Sequence, residues 1–318
     1  MSEIRLLSEG DVRRSLDVDA MLDALAEGFV ALTKGEVVAP PRNGVEVPHG
    51  FLLSMPGWVP GKSISVKLVA GFHDNHKHGL PGHQAIICLF DGDTGTPLAV
   101  MDGTGITALR TAGGAAVSTR LLAREDAKTL AIIGAGVQGQ SHLQVVPRVR
   151  DIQEIRIASL YSEDTRKLAA QDPRATAFDS YDEAVRGADI VCLCTSSSTP
   201  VITIDALAPG THVTSVGYAP PGGELDRSIA EGGRLYVETK MAFADPPAGC
   251  AELKGMDASR GAEIGEVLLG LKPGRQSSQE ITVYKAMGHA MEDLVAAQIV
   301  YDLAKAAGAG QTFDLRGA

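Results

Sequence analysis

The stretch that decides the fold is residues 130–139, which read LAIIGAGVQG. Its four leading apolar residues have the length and composition of a buried strand. Gly134, Gly136 and Gly139 follow in the spacing G-x-G-x-x-G, and a helix is expected to open near Gln138. The pattern is informative because it follows a strand and precedes a helix. This order predicts a Rossmann-type α/β fold that binds a dinucleotide.

Each glycine of the turn has its own physical task. Gly134 permits the tight turn, Gly136 lets the backbone approach a pyrophosphate, and Gly139 lets the helix pack closely on the strand. Val137 and Gln138 open the helix, whose first N–H groups and positive dipole end favour a phosphate. The alternative is a glycine-rich turn between a strand and a helix that holds no ligand.

Strands and helices alternate on both sides of this turn. Helices are expected over residues 107–123, after Gln138, near 166–170 and over 288–307. Strands are expected at 129–133, 154–158, 175–178, 189–194, 212–216 and 235–237. Strands that alternate with helices imply right-handed βαβ crossovers and therefore a doubly wound parallel sheet.

The N-terminal part has a different sequence pattern. Ser8 and Asp19 are expected as helix N-caps, and apolar residues recur at helical spacing from Asp19 until Gly35. Proline and glycine then interrupt the chain repeatedly. Short strands are expected between these turns, at 51–55, 64–69, 85–90 and 97–102. We therefore expect an α+β domain with an antiparallel or mixed sheet and a flanking helix.

These two sequence patterns divide the chain into two domains. Residues 1–118 and 296–318 are assigned to a substrate-binding and dimerisation domain, and residues 119–295 to the dinucleotide-binding domain. The helix at 288–307 follows the parallel sheet and is expected to pack back onto the N-terminal domain, which it completes.

Composition and charge exclude several classes of protein. The 318 residues carry a formal net charge of -10, and a negative field of this kind repels the phosphates of nucleic acids. No apolar run has the length of a membrane span, and the first residues lack a secretory pattern, so we expect a cytoplasmic protein without a membrane partner. Four irregularly spaced cysteines predict neither a disulfide framework nor a metal site.

The end of the second strand of the dinucleotide fold normally separates NAD from NADP. A carboxylate there binds the ribose 2′-OH, whereas an arginine favours a 2′-phosphate. Residues 156–163 read RIASLYSE, with neither group at the strand end. We favour NAD and leave NADP open. The expected cofactor contacts also include Thr111, Ser159, Thr195, Val216 and Gly217.

Several further segments resemble the ornithine cyclodeaminase/μ-crystallin family, in the same order along the chain. These segments are residues 67–75 (KLVAGFHDN), 79–81 (GLP), 91–98 (DGDTGTPL), 109–112 (LRTA), 265–267 (GEV), 273–275 (PGR) and 288–293 (GHAMED). The resemblance runs from about Ser8 to the C-terminus. It implies a homodimer formed by the N-terminal domain and the last helix, with a Rossmann domain for the nucleotide.

The resemblance places Arg42, Lys67 and Arg110 around a substrate carboxylate. The residue types fit this role, because a guanidinium matches a carboxylate with two parallel hydrogen bonds and an ammonium adds a point charge. Lys67 lies among apolar residues of a predicted strand, where an ammonium needs a partner. Taken one at a time, each cation also fits a surface or salt-bridged residue.

Two departures from the family pattern concern the reaction type. Family cyclodeaminases carry an Asp after the fifth strand of the nucleotide domain, where residues 216–225 here read VGYAPPGGEL. They also carry a Glu where this chain has Leu53. Both carboxylates handle the amino groups of a diamino acid. Glu224 is a candidate substitute, although a loop-to-helix residue without a role in catalysis is the favoured interpretation.

The expected function is therefore NAD(P)H-dependent reduction of a small α-imino acid, or the reverse oxidation of an α-amino acid. Lys67 is the expected proton donor if the imine is neutral. Iminosuccinate, iminopyruvate and cyclic ketimines are candidate substrates. Two alternatives remain: a cyclodeaminase that uses NAD catalytically, and a binding protein of the μ-crystallin kind.

A run of basic residues follows Lys67 in the sequence, namely His73, His76, Lys77, His78 and His83. Three interpretations are open for it: a solvated loop, a metal site, and a second anion pocket for a dicarboxylic imino acid. The metal interpretation lacks further ligands at fixed spacing, and we predict no metal site.

Overall fold

The structure, a computed structural model, describes residues 3–315 and residue 317, with all their side chains except those of His73 and His76. In chain order the helices are α1 (Glu9–Ser15), α2 (Val18–Thr33), α3 (Thr104–Leu122), α4 (Val137–Val145), α5 (Ser162–Ala169), α6 (Tyr181–Val185), α7 (Arg227–Gly232), α8 (Ile264–Leu268) and α9 (Ala290–Ala307).

The strands form two separate sheets. In chain order they are β1 (Glu3–Leu7), β2 (Asn43–Val47), β3 (Gly50–Trp58), β4 (Ile64–Phe72), β5 (His83–Phe90), β6 (Pro97–Asp102), β7 (Thr129–Ile133), β8 (Glu154–Ala158), β9 (Ala175–Phe178), β10 (Ile190–Leu193), β11 (His212–Ser215), β12 (Arg234–Val237), β13 (Gly261–Glu263), β14 (Thr282–Lys285) and β15 (Gln311–Asp314).

The chain divides into two compact units. Unit 1 contains the described residues up to Arg110 and from His289 onward, and unit 2 is Thr111–Gly288. The sequence places these boundaries after residues 118 and 295, eight and seven residues later. The first boundary lies inside the unbroken helix α3, where no change of composition marks it. The second lies at His289, the N-cap of α9, so the whole of that helix belongs to unit 1.

Unit 1 is built on a seven-stranded mixed sheet with the order β15-β1-β6-β5-β4-β3-β2. The neighbours from β2 to β6 are antiparallel, as expected, and β1 lies parallel to β6. Helix α9 packs on β3, β4 and β5 and contacts α2. The helix expected from an Asp19 cap instead begins at Val18, because the Asp17 side chain accepts hydrogen bonds from the N–H groups of Asp19 and Ala20.

Unit 2 is built on an eight-stranded sheet with the order β13-β12-β14-β11-β10-β7-β8-β9. All its neighbouring strands are parallel, which confirms the Rossmann-like sheet. The order reverses between β7 and β10, since β8 and β9 lie on one side of β7 and the later strands on the other. Parallel strands present their carboxyl ends at one edge, and ligands of such sheets bind at that edge near the reversal.

The core of unit 2 consists of aliphatic side chains on these central strands. Val191, Leu193, Val213 and Val283 are fully buried there. Such continuous apolar strands are typical of a parallel sheet that is covered on both faces. Within the described residues, no helix is long and apolar enough to cross a membrane.

Candidate functional site

The glycine-rich turn lies at the carboxyl end of β7, where α4 begins. Gly134 has a φ of 111°, and a Cβ on it would lie 2.5 Å from the carbonyl oxygen of Cys194. A Cβ on Gly139 would lie 2.0 Å from the carbonyl oxygen of Gly134. Neither position therefore accepts a side chain. The turn and the close packing of helix on strand have the geometry that the sequence predicts for these two glycines.

Gly136 differs from its neighbours, because a Cβ added there meets no protein atom within 4 Å. This glycine is the N-cap of α4 and makes no side-chain cap, so the first-turn N–H groups of the helix have no side-chain acceptor at that position. Among the described residues, the buried Oε1 atom of Gln138 has no hydrogen-bond partner. An open glycine and a helix N-terminus suit the phosphates of a dinucleotide, whereas the Gln138 oxygen, which only accepts hydrogen bonds, suits a hydroxyl group.

The end of β8 carries no charged side chain. The Ser159 hydroxyl donates to the carbonyl of Tyr161 at 3.0 Å and lies 2.8 Å from the Thr165 hydroxyl. Leu160 is 77% exposed and Tyr161 is 66% exposed. Lys167, one helical turn further on, is paired with Glu163 at 2.7 Å. The strand end therefore holds neither a carboxylate for a ribose 2′-OH nor an arginine for a 2′-phosphate.

Three of the other expected cofactor residues, Thr195, Val216 and Gly217, meet at one buried carboxylate, that of Glu224. They follow the neighbouring strands β10 and β11 in the sequence. The Glu224 carboxylate accepts hydrogen bonds from the backbone N–H groups of all three residues. The remaining residue of the set, Thr111, is the first residue of unit 2 and is buried in α3.

In unit 1, two of the expected substrate-binding cations meet at Asp293. The Lys67 ammonium lies 2.7 Å from one Asp293 oxygen, and Nε of Arg110 donates to the other at 2.9 Å. Nη1 of Arg110 also donates to Glu292 at 3.1 Å. All four side chains are buried, with at most 6% of any side chain exposed. Such a cluster is stable only because each charge has a partner.

The local folds explain why these residues meet. Lys67 lies in the middle of β4, between Met55 on β3 and Ile87 on β5. Arg110 lies in the second turn of α3, and α9 packs on β4 with its first turn carrying both acids. Glu292 also accepts the backbone N–H of His289 at 2.7 Å, as part of the capping box that starts α9.

Burial lowers the pKa of the Lys67 ammonium to about 8, although the charge of Asp293 opposes this shift. Burial alone would raise the pKa of Asp293, but the positive charges of Arg110 and Lys67 outweigh it and lower that pKa. A pKa of about 8 allows Lys67 to lose and regain a proton close to neutral pH.

Arg42 lies near this cluster. Burial lowers the pKa of His289 to about 4, and the positive charges of Arg42 and Arg110 add to the effect. The positive charges of Arg42 and Arg110 therefore both act on the His289 ring. Lys67, Arg110 and Arg42 are thus three cations in the neighbourhood of the two acids Glu292 and Asp293.

Sequence reasoning missed the partners of these cations. Glu292 and Asp293 were noticed only as part of the family segment 288–293, and no role was expected for them. The available signal is two adjacent acids followed by the apolar residues 294–297 at the start of the helix, because charged residues are rarely fully buried unless they are paired.

The basic run after Lys67 falls partly outside the described residues, since it includes the side chains of His73 and His76. His78 and His83 are exposed, and Lys77 pairs with Asp74 at 2.8 Å on the surface. The His83 ring lies edge-on to Phe51. The described part of this run resembles a solvated loop. Among the described residues, no group of three or more His, Cys, Asp or Glu side chains could hold a metal ion.

The chain is similar to several known proteins over most of its length. The mouse ketimine reductase mu-crystallin is 37% identical over 288 residues, which cover 88% of this chain and 90% of that protein. The Delta(1)-pyrroline-2-carboxylate reductase of Thermococcus litoralis, solved with NADH and L-proline, is 32% identical and superposes with a TM-score of 0.91, over 97% of this chain and 99% of that one.

An archaeal alanine dehydrogenase dimer with bound NAD is 29% identical, with a TM-score of 0.87 over 98% of this chain and 99% of that one. The family model described as ornithine cyclodeaminase/mu-crystallin matches residues 3–308. The resemblance noted in the sequence is thereby confirmed, and the chain belongs to the ornithine cyclodeaminase/mu-crystallin family.

Proposed function

We propose that the protein catalyses the NAD(P)H-dependent reduction of a small α-imino acid to the L-amino acid, and the reverse oxidation. The observation that carries this proposal is the buried Lys67–Asp293–Arg110 cluster, which combines anion-binding cations with a proton donor. Unit 2 supplies the dinucleotide turn. A reductase of ketimines, a reductase of pyrroline-2-carboxylate and an alanine dehydrogenase all act at C=N or CH–NH2 groups, and each resembles this chain over most of its length.

The substrate carboxylate is bound by Arg42, Lys67 and Arg110. Asp293 and Glu292 hold the Arg110 guanidinium in a fixed orientation, so little side-chain entropy is lost when a substrate binds. Arg42 adds a third cation close to Arg110. The fixed geometry of the clamp holds the α-carbon in one place.

The proton needed for the reaction comes from Lys67. Reduction of an imine adds a hydride to carbon and a proton to nitrogen, and the bound nicotinamide nucleotide supplies the hydride. With its pKa at about 8, Lys67 is largely protonated at neutral pH and gives up its proton readily. Asp293 keeps the ammonium in place and favours its charged form, and solvent restores the proton after turnover.

The cofactor is NAD or NADP, and we favour NAD. No arginine stands at the end of β8 to bind a 2′-phosphate, and the exposed side chains there are Leu160 and Tyr161. A carboxylate that would repel a 2′-phosphate is also lacking at this strand end, so discrimination between the two nucleotides should be modest.

A cyclodeaminase activity receives no support from the geometry. The only carboxylate near the position of the family Asp, within residues 216–225, is Glu224, which is fully buried and bonded to backbone N–H groups. A base engaged in this way cannot accept a proton from the amine of a diamino acid. Leu53, where the family has a Glu, offers no charged group for the second amine.

We further propose a homodimer that forms through the sheet of unit 1. Val45, Leu52 and Ile86 lie on the face of this sheet opposite to Lys67, because their register differs from that of Lys67 by an odd number of residues. They are 62%, 46% and 45% exposed. An exposed apolar sheet face favours a partner. Leu52→Glu should yield a monomer in light scattering, whereas Leu271→Glu, at an exposed residue of unit 2, should not.

We also propose that the protein works in a reducing compartment, the cytoplasm. All four of its cysteines are free thiols, and three of them are buried in the core. Buried thiols of this kind are small core residues, and cytosolic proteins commonly keep them reduced.

The test is a panel of imino acids with NADH and NADPH, followed at the nicotinamide absorbance. The panel contains cyclic imines and 2-oxo acids mixed with ammonia. At least one small imino acid should consume the nucleotide stoichiometrically. Lys67→Met should lower kcat by about 100-fold or more, whereas Lys34→Met, at an exposed lysine after α2, should leave it unchanged. Conversion of ornithine to proline with no net consumption of nucleotide would contradict the proposal.

A further inference from the structure

Glu224 is a fully buried carboxylate with an unusually complete set of donors. One oxygen accepts from the backbone N–H and the hydroxyl of Thr195, at 2.6 and 2.7 Å. The other accepts from the Ser215 hydroxyl at 3.0 Å and from the N–H groups of Val216 and Gly217 at 3.1 and 2.7 Å. Both oxygens therefore act as acceptors in all five of these hydrogen bonds.

These donors belong to two neighbouring strand ends. Thr195 follows β10 and Val216 follows β11, and the two strands pair in parallel. Glu224 therefore joins the two chain segments that leave the carboxyl edge of the sheet, just beyond the point where the strand order reverses. In a doubly wound fold this half of the edge receives the second mononucleotide, which in NAD carries the nicotinamide.

One peptide group, between Cys194 and Thr195, connects the carboxylate to the glycine-rich turn. A trans peptide is planar, so its N–H and C=O groups point in opposite directions. The Thr195 N–H points to Glu224, and the carbonyl of the same peptide, on Cys194, is the atom that a Cβ on Gly134 would meet at 2.5 Å. The orientation that Glu224 imposes on this peptide therefore reaches the first glycine of the turn.

The buried side chain of Lys285 also holds these strand ends in place. The Lys285 ammonium donates to the Gly217 carbonyl at 2.6 Å, to the Ser215 hydroxyl at 3.2 Å and to Glu252 at 2.9 Å. Gly217 is thus held on both sides, through its N–H by Glu224 and through its carbonyl by Lys285. Space is tight as well, because a Cβ on Gly217 would lie 2.5 Å from the Thr195 carbonyl oxygen.

A loop can be buried without a charged side chain that accepts five hydrogen bonds. A charge inside a protein is strongly destabilising unless it is fully compensated, and an apolar residue would be more stable there if only packing mattered. The network instead fixes two backbone segments that remain half-buried at Val216 and Gly217. Their orientation is the property that the carboxylate secures.

We infer that Glu224 is the positioning residue for the nicotinamide half of the dinucleotide site. It holds the peptides of Thr195, Val216 and Gly217 in the orientation that receives the nicotinamide and its ribose, whereas the turn at 134–139 holds the phosphates. The inference rests on the proposed function for the identity of the cofactor. The N–H groups of these three residues already have an acceptor, and the Gly217 carbonyl accepts from Lys285. The contribution to the cofactor therefore comes from the carbonyls and side chains of Thr195 and Val216.

The test compares two ligands by calorimetry, NADH and ADP-ribose, the second of which lacks the nicotinamide. Glu224→Gln keeps the size of the side chain but turns an amide NH2 toward backbone donors. We expect its Kd for NADH to rise by about tenfold to 100-fold, and its Kd for ADP-ribose by less than about threefold. A change that loosened the whole domain would weaken both ligands equally.

Asp189→Asn is the matched control. Asp189 is also a carboxylate bonded to two backbone N–H groups, those of Lys128 and Thr129, but it precedes β10 and so lies at the opposite edge of the sheet. Its replacement should lower the melting temperature and leave the ratio of the two Kd values unchanged. A ratio altered as much as in Glu224→Gln would overturn the inference.

Ser215→Ala is the second variant, for the case that Glu224→Gln does not fold. It removes one donor to Glu224 and one acceptor of Lys285, and it should raise the Kd for NADH alone by about threefold. If the folded variants bind both ligands as the wild type does, or lose both in equal measure, Glu224 is not the positioning residue. If the wild type binds neither of these ligands nor NADPH, the proposed function fails instead.

Discussion

The contact between Asp293 and Lys67 should determine the pH at which imine reduction stops. Lys67 must be protonated to act as the proton donor, so the rate should fall as the pH rises through its pKa of about 8. Asp293 raises that pKa from 2.7 Å away, against the opposite effect of burial. Asp293→Asn removes this negative charge and keeps the shape of the side chain.

The size of the effect follows from Coulomb's law. At an effective dielectric constant of about 20, unit charges about 4 Å apart interact by about 4 kcal/mol, which equals about three pH units for a titrating group. An asparagine oxygen still accepts a hydrogen bond from the ammonium. We therefore expect the alkaline limb of the kcat profile to move down by about one to two pH units.

The measurement is kcat against pH for the best imino acid, at saturating nucleotide. Asp302→Asn is the control, since Asp302 lies on the same helix, is exposed and bonds only to Gln298 in the described contacts. Its profile should match that of the wild type. An alkaline limb at the same pH in Asp293→Asn and the wild type would refute the assignment of the proton to Lys67.

Three further predictions concern the cofactor, the substrate and acid stability. Gly136→Val should abolish binding of NADH and NADPH in calorimetry while the melting temperature stays close to that of the wild type, because the new side chain meets no protein atom at its Cβ; unchanged affinity would remove the turn from the site. Arg110→Ala should reduce kcat/KM by about 1.5–3 kcal/mol, or roughly tenfold to 100-fold, mainly through KM; it should also lower the melting temperature, because two buried carboxylates lose a partner, and unchanged kinetics would show that the clamp lies elsewhere. The free energy of unfolding should fall as the pH drops from about 6.5 towards 4. Burial lowers the pKa of three histidines in the folded state, so the unfolded chain binds more protons in this range. These histidines are His142, His212 and His289, with pKa values of about 4, 3 and 4. Chemical denaturation at each pH measures this slope, which should be about 1.4 kcal/mol per pH unit for each histidine, and a flat profile would contradict the burial of these rings.

Local patterns in the sequence predict the parallel sheet well. The strands predicted at 129–133, 154–158 and 175–178 coincide with β7, β8 and β9. Each is a short apolar or β-branched run between clear turn residues, so local preference and tertiary context agree there. The glycine-rich turn is local in the same sense, because its neighbours determine what its glycines must do.

Edge strands and long-range partners are harder to predict from the sequence. The strands β1 and β15 pair with each other although they lie at opposite ends of the chain, and neither has a strong periodic pattern. Strand β2 is exposed throughout, so it carries no alternation of buried and exposed residues. β14 is the central strand that joins β11 to β12, yet its four residues include Lys285, whose partners only the folded protein brings together.

The candidate site shows the same division between local and distant information. Lys67 and Arg110 could be named from the family segments, and their chemistry could be argued from residue type. The sequence does not predict that both bind one carboxylate on the last helix, because Asp293 lies 183 residues after Arg110. Likewise, Glu224 resembles an ordinary loop residue until the strand ends that it joins are known.

The two carboxylates on α9 also set an order for the assembly of the protein on the ribosome. Unit 2 is one continuous segment, Thr111–Gly288, and can fold as soon as it has emerged. Unit 1 is interrupted, and its strands must wait for the last residues of the chain before Lys67 and Arg110 receive Asp293. Until then these two cations remain hydrated, and the apolar residues around them stay exposed. A chain released before residue 290 would therefore contain the whole of unit 2 and an incomplete unit 1.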